Sequence, residues 1–516
     1  MNRIYASAFA LATSALVAGP AAAQSVTVAV AADIRSSNPG VNRDDNTDDF
    51  VLQLVEGLVG YAEDGTVGPL LAEKVEMSAD GKAYTFTLRK GVKFHNGAEL
   101  TSADVVWSWN RYMDPKTEWR CLSEFDGRNG LKVEAIEAPD ANTVVMRINS
   151  PSALFLDALA RTDCAMAAVI HKDSLKADGS WDKPVGTGPF KIGEWKRGEY
   201  FTMTAFDGYA SAKGDKRDGY IGLKKTLIKD VKFLVVRDPA TVKAGLTSGA
   251  IDMAEILPSD VEELRKNPKL DVKIAPNAVR HTFLFQTRDP LMKNVKLRQA
   301  IAASLDMTEL VAAASSNLGT PNNSAIYPSS AYFGPVEKQG FSYDPAKVKK
   351  LLQEAGYKGE KISIVANKRP TVPSFPAAVV AQAMMQAAGI NAEIEVLDWA
   401  TQLDRYNKGN YQMQSFSYSA RFDPALGFEQ FAGPKDKQPR KVWDNAEAQA
   451  LIDKSMVISD KAERQKLFDD LHKRMIEEVP LVIYFNGLDV IAHSKRVRDF
   501  QPWQSKMRMW GVNLAN

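Results

Sequence analysis

Between residues 75 and 94 apolar and polar positions alternate. Val75 and Met77 precede Asp80-Gly81, Tyr84, Phe86 and Leu88 follow it, and Lys90-Gly91 turns the chain into 92–94. A period of two broken by Gly-containing turns predicts antiparallel hairpins. From residue 231 the texture changes. A β-rich run over 231–236 is followed by a helix-like 239–248 ending at Gly249, then by a strand over 251–256. Strand–helix–strand order implies a parallel pair with a right-handed crossover. A second such unit pairs strands 362–365 and 394–397 around a helix over 376–388 ended by Gly389. Helical spacing also marks 47–59, the stretch after Thr101 with Asp104 three residues on, Leu297 to Leu305, a helix opened by Asp344-Pro345, 446–458 and 461–478. Strands are expected over 26–31, 144–148, 272–275 and 481–485. The element order predicts two α/β lobes with a β-rich insert near the N-terminus.

One strand ends unusually. In 415–428, SFSYSARFDPALGF, Phe416 and Tyr418 alternate with Ser415, Ser417 and Ser419. Arg421, Phe422 and Asp423 then arrive together, and Asp423-Pro424 stops the strand. Two charges and three aromatics in so short a span point to a strand end that reaches a polar, aromatic-lined place.

Composition narrows the classes. At 516 residues and 45% hydrophobic, the chain is too long for one ordinary domain. Its 65 Lys and Arg nearly balance 63 Asp and Glu, which gives no reason to expect a nucleic-acid or anionic-membrane partner. At the start, Arg3, an apolar run over 9–17, Gly19-Pro20 and Ala21-Ala22-Ala23 read as a secretory signal over 1–23, cleaved before Gln24. No Cys stands there for a lipid anchor, so an exported, soluble periplasmic protein is expected. The two cysteines, Cys121 and Cys164, are read either as one disulfide or as two separate buried thiols.

Catalytic signatures are missing from the sequence. Gly186-Thr187-Gly188-Pro189 leads into a strand and so does not serve as a phosphate loop. The five histidines, His95, His171, His281, His472 and His493, have no metal-ligand spacing, and no GxSxG elbow occurs. An enzyme is not expected, and neither is a cofactor or a metal.

Five stretches in order carry a family resemblance: YTFTLRKGVKFHNGAELTSADVVWSWNR from Tyr84, VGTGPFKIGEWKRGE from Val185, GLTSGAIDMAEI from Gly245, VKLRQAIAASLDMTEL from Val295 and YDPAKVKKLLQEAGY from Tyr343. Together they resemble the peptide/nickel-type (family 5) periplasmic solute-binding proteins of ABC importers. The resemblance implies an α/β, type II periplasmic binding protein of two lobes, with a further β-rich domain in lobe one. Lobe one would comprise 24–60, 185–276 and 481–516, the insert 61–184, and lobe two 277–480. A ligand would be held between the lobes, and the closed form would dock on an inner-membrane permease. The expected partners are therefore that permease and a peptide or small-molecule ligand, with the chain acting as a monomer.

The resemblance also places the end of the 415–428 stretch in the cleft. Peptide-binding relatives often read W-x-x-D-Y-x-D-P here, and the first Asp pairs with the peptide amine. This chain keeps Asp423-Pro424 and has Tyr418 near the Trp, but Arg421 stands in the neighbourhood of the missing Asp. A planar guanidinium suits a carboxylate or phosphate, so Arg421 either anchors an acidic ligand group or pairs internally with Asp423 or another carboxylate. Phe422 and Asp423 are candidate contacts beside it. Trp399 either stacks on ligand or packs under lobe two. Arg35 and Arg369 either present charge to the cleft or lie at the surface. The expected ligand is a peptide or related solute. Alternatives are an acidic amino-acid or sugar conjugate, a metal chelate, or a chaperone role.

Overall fold

The computed structural model describes residues 25–41, 45–369 and 372–515. The expected signal over 1–23 lies outside the described residues.

Ten strands form one continuous sheet. From edge to edge they are Ala392–Val396, Ile362–Ala366, Met413–Tyr418, Leu270–Phe285, Leu481–Ser494, Met253–Glu255, Ser25–Val30, Asp230–Val235, Tyr200–Ala205 and Phe190–Lys196. Both strand–helix–strand units are parallel. Ile362–Ala366 pairs directly with Ala392–Val396, whereas Asp230–Val235 and Met253–Glu255 each flank Ser25–Val30.

The two central strands are long, and they join the halves. Leu270–Phe285 runs 16 residues and Leu481–Ser494 runs 14, antiparallel to each other throughout. Residues 270–276 of the first strand lie against 488–494, on the side where Met253–Glu255 also pairs. Residues 280–285 lie beside Met413–Tyr418 on the other side. Between Pro276 and Arg280 the register shifts. A ladder broken there leaves backbone groups that need other partners. Side chains supply them: Gln504 Oε1 accepts from the Ala278 N–H at 2.7 Å, and Asn486 Nδ2 donates to the Val279 carbonyl at 3.1 Å. Asn277 Nδ2 donates to Asp489 Oδ1 at 2.8 Å. At Gly487 a Cβ would stand 2.5 Å from Asn277 Oδ1, so the approach needs glycine. The strand that starts at Leu481 pairs its residues 481–483 with 282–284.

Apart from this sheet stand four antiparallel strands in the order Ala72–Met77, Ala83–Leu88, Thr143–Ile148, Val133–Asp140. Beside them lies the helix Ser102–Met113, whose Asp104 carboxylate accepts from the Thr101 N–H at 2.9 Å. Cys121 and Cys164 form a disulfide in this region.

The expected helix over 47–59 is shorter. It spans Asp45–Val51, and Val59–Tyr61 instead pairs with Val67–Pro69. Phe50, Val51, Leu52, Leu54 and Val55 are all essentially inaccessible, so burial on every side allows an irregular path as readily as a helix. Gly57 lies where a Cβ would come within 2.0 Å of the Met166 carbonyl.

Candidate functional site

Where the four-stranded region faces the second half of the large sheet, a cavity of about 450 Å³ lies between them. One wall carries Tyr84 from the strand Ala83–Leu88 and Asp157 from the helix Phe155–Ala160. The opposite wall carries Tyr332, Phe422, Asp423 and Arg464. The strand Met413–Tyr418 aims its end here because of what lies beneath it. Arg280, 1% exposed, donates to the Ser419 carbonyl at 3.2 Å, to Ala325 O at 3.1 Å and to Gln430 Oε1. Burial pushes this guanidinium down to about 9.

Asp423 has two tasks. As N-cap of the helix Pro424–Glu429, its Oδ1 accepts from the Ala425 N–H at 2.8 Å. Both of its oxygens also accept from Arg464, each at 2.8 Å. Arg464 comes from the buried stripe of the helix Lys461–Glu478, where Leu467, Phe468, Leu471 and Met475 are its apolar companions.

Asp157 is less well served. It is 6% exposed, and its Oδ1 accepts from the Tyr61 hydroxyl at 2.8 Å. Its Oδ2 has no hydrogen-bond partner among the described residues. Burial, and then the facing Asp423 carboxylate, push its pKa up to about 7, against the pull of the Tyr61 hydroxyl, Arg161 and Arg464.

The walls also touch directly. Phe422 meets the Tyr61 ring edge-on at 4.6 Å and stacks on Trp503 at 5.7 Å. The Ala153 N–H donates to Met456 O at 2.9 Å, and the Ala331 N–H to Asp64 O at 3.2 Å. Gly65, at φ +79°, sits where a Cβ would come within 1.9 Å of the Tyr327 hydroxyl.

Of the residues expected in the cleft, Phe422 and Asp423 line this cavity. Arg421 lies next to them, half-buried. It donates to the Ala420 carbonyl at 2.8 Å, and no carboxylate among the described residues is within ion-pair distance of it. Asp163 is its nearest electrostatic counterweight against burial. Tyr418 is 4% exposed and packs with Tyr406, Phe416 and Phe431, away from the cavity lining. Trp399 and Arg369 come together away from this cavity, with the guanidinium 3.9 Å above the indole. Arg35 is exposed beside Thr47, whose hydroxyl accepts from its backbone N–H at 2.9 Å. Among the described residues the one group with potential metal-ligand spacing is Cys121, Asp163 and Cys164, and its sulfurs are bonded to each other.

Sequence reading passed over Asp157, Arg464, Tyr61 and Tyr84 as site residues. Two of them left a signal. Asp157 is the lone charge in a six-residue apolar helix, FLDALA, and Arg464 occupies an apolar stripe position of its own helix.

Two long strands cross one continuous sheet, and a cavity lies between that sheet and the four-stranded region. The family described as "Bacterial extracellular solute-binding proteins, family 5 Middle" matches residues 66–439, and the chain belongs to it. Oligopeptide-binding protein OppA of Bacillus subtilis is 25% identical over 477 residues, covering 87% of this chain and 85% of that one. The dipeptide-binding protein of Escherichia coli is 26% identical over 486 residues, covering 89% and 86%. Among solved structures, HbpA2 from Haemophilus parasuis has the same fold, with a TM-score of 0.80 at 24% identity over 95% of this chain and 100% of that one.

Proposed function

We propose that this protein is the periplasmic binding component of an ABC importer. It captures a peptide or related small organic solute by closure of two lobes and delivers it to an inner-membrane permease. One observation carries this reading: the cavity is walled by side chains from both bodies, so only the closed arrangement gives a solute contacts on both sides. The break at 276–280 and near Asn486 then serves as the hinge of a type II fold. The four-stranded sheet belongs to a domain inserted in lobe one, and residues 1–23 act as an export signal.

Arg421 anchors an acidic group of that solute, beside Phe422 and Asp423. Its support is the guanidinium without a carboxylate partner among the described residues, in a place where desolvation is costly. Trp399, Arg369, Arg35 and Tyr418 support the cleft from outside this cavity.

Mass spectrometry of solute released from the natively purified protein tests the capture reading. The released solute should return the protein to a higher Tm on re-addition, by RT ln(1 + [L]/Kd). A protein that carries no solute and shows no such shift with any peptide overturns it. For Arg421→Ala, affinity for the released solute should fall at least about tenfold, the scale of a charged hydrogen bond. Unchanged affinity removes the anchor role.

A further inference from the structure

We propose that Arg280 is the positioning residue of one cavity wall. From behind, its buried guanidinium fixes the three segments that carry Tyr332, Phe422 and Asp423 to the solute. The proposal rests on the reading of this cavity as the solute site. It assigns Arg280 no contact with the solute, only the placing of side chains that line its space.

The backbone puts Arg280 at the base of that wall. The ladder breaks after Pro276, and Arg280 is the first residue to pair again, with Asn486 on one side and Tyr418 on the other. Its side chain therefore leaves the strand where Met413–Tyr418 ends. Nη1 donates to the Ala325 carbonyl at 3.1 Å, and Nη2 to the Ser419 carbonyl at 3.2 Å and to Gln430 Oε1. Gln430 Nε2 also donates to the Ser419 carbonyl, at 3.2 Å, which closes the group into a ring. Each acceptor heads a different route to the cavity. Ala325 leads to Ser330, Ala331 and Tyr332, and Ser419 leads to Phe422 and Asp423. Gln430 follows the helix that Asp423 caps. Tyr327 and Phe422, one from each of the first two routes, meet ring to ring at 6.1 Å.

A guanidinium suits this task and an ammonium does not. Its planar fork presents donors in fixed directions, so acceptors on separate segments are held in one geometry. No carboxylate among the described residues lies within ion-pair distance of Arg280. Neutral oxygens alone take up its charge, and its Nε is buried without a partner. Such a charge lowers stability relative to an apolar side chain of the same volume, so filling space does not account for it. The helix Pro424–Glu429 is built to admit it: a Cβ at Gly427 would stand 2.7 Å from Nη1. Arg298 gives the contrast. It is also buried and also held by carbonyls, those of Val479 at 2.8 Å, Met292 at 2.7 Å and Glu478 at 2.6 Å. None of these residues lines the cavity, so Arg298 braces the fold where Arg280 braces the wall.

The test uses the mature protein and the variants Arg280→Met, Arg280→Lys, Gly427→Ala and Arg298→Met. Hydrogen exchange on the solute-free protein reads the wall directly. In Arg280→Met the amides of 325–332 and 419–431 should exchange at least about tenfold faster, while those of the four-stranded region keep the wild-type rate. Arg280→Lys should show the same local loss, because an ammonium does not reproduce the fork. Gly427→Ala should show it too, although alanine is the better helix former, and it carries the test if Arg280→Met does not fold. Arg298→Met should lower the Tm without singling out those two segments. Titration calorimetry then uses the solute that mass spectrometry identifies in the wild-type protein. Its affinity should fall at least about tenfold in Arg280→Met and Gly427→Ala, and stay within about twofold in Arg298→Met. Unchanged exchange in both segments, a loss spread evenly over the chain, full recovery in Arg280→Lys, or wild-type affinity in Arg280→Met overturns the proposal. If the wild type carries no solute and shows no Tm shift with any peptide, the capture reading fails, and the exchange data alone decide whether Arg280 holds this wall.

Discussion

Glu56 and Asp157 are two carboxylates buried on the same side of the molecule, and their surroundings are opposite. Glu56 is fully inaccessible. Lys224 Nζ lies 2.8 Å from its Oε1, which also accepts from the Tyr209 hydroxyl at 2.8 Å. Its Oε2 accepts from the Thr187 hydroxyl at 3.2 Å, with Arg89 4.0 Å away. None of these partners lines the cavity, so the cluster is complete without a ligand. Asp157 has one hydroxyl partner, a like charge opposite, and empty volume beside it. A buried charge whose partners share its body is part of the framework. A buried charge whose missing partner must come from the gap between bodies is available to a ligand.

Breaking the first cluster should give the largest effect. Glu56→Ala strands Lys224, which is 2% exposed, without its counter-ion. Loss of about 3–5 kcal/mol is expected, measured by urea unfolding. A loss no greater than that of Asp157→Asn would erase the contrast between the two sites.

Next in size is Gly65. An alanine Cβ there meets the Tyr327 hydroxyl at 1.9 Å. The strain of a positive φ costs roughly 1–2 kcal/mol in any state, but under the proposed closure the clash exists only in the closed form. Gly65→Ala should therefore weaken solute binding by at least about tenfold beyond its effect on stability, and adding Tyr327→Ala should recover most of that excess. Equal losses with and without Tyr327 would show that the closed contact does not matter.

A third effect is on the pH dependence of stability. The native pKa of Asp157 lies near 7, above its unfolded value near 3.8, so the native state binds the proton more tightly between these limits. Its contribution to stability is then present in full below about pH 4 and lost as pH rises through about 7. Asp157→Asn should remove that decline, and the difference between the two proteins' urea midpoints should grow from pH 4 to pH 7. His95 and His281, held neutral by burial at about 4 and about 3, act with the opposite sign, stabilising more as pH rises. Only the difference from the variant isolates Asp157.

Much of the fold was legible because it is written locally. The helix expected over 461–478 is observed as Lys461–Glu478, capped by Asp460 and followed by Pro480. The strand–helix–strand units carry their period and their terminating glycines in the chain. Leu270–Phe285 was read only in part, as a short strand over 272–275. Residues 277–279 beyond it lack strand periodicity, since side chains replace the ladder there. In the site, Phe422 and Asp423 stood out as a cluster within one segment. Tyr418 stood out equally, yet it faces the core, because the strand's apolar face packs on Tyr406 and Phe431.

By itself, then, the sequence determined the α/β alternation, the antiparallel hairpins near the N-terminus, the family and the segment that ends at the cavity. All of these are carried by neighbours within a few tens of residues. Tertiary structure alone decided which charges are free. Asp423 is taken by Arg464, 41 residues on, and Glu56 by Lys224, 168 residues on. Whether a buried charge is paired depends on which distant groups share its low-dielectric space, and that is settled only when the chain has closed around it.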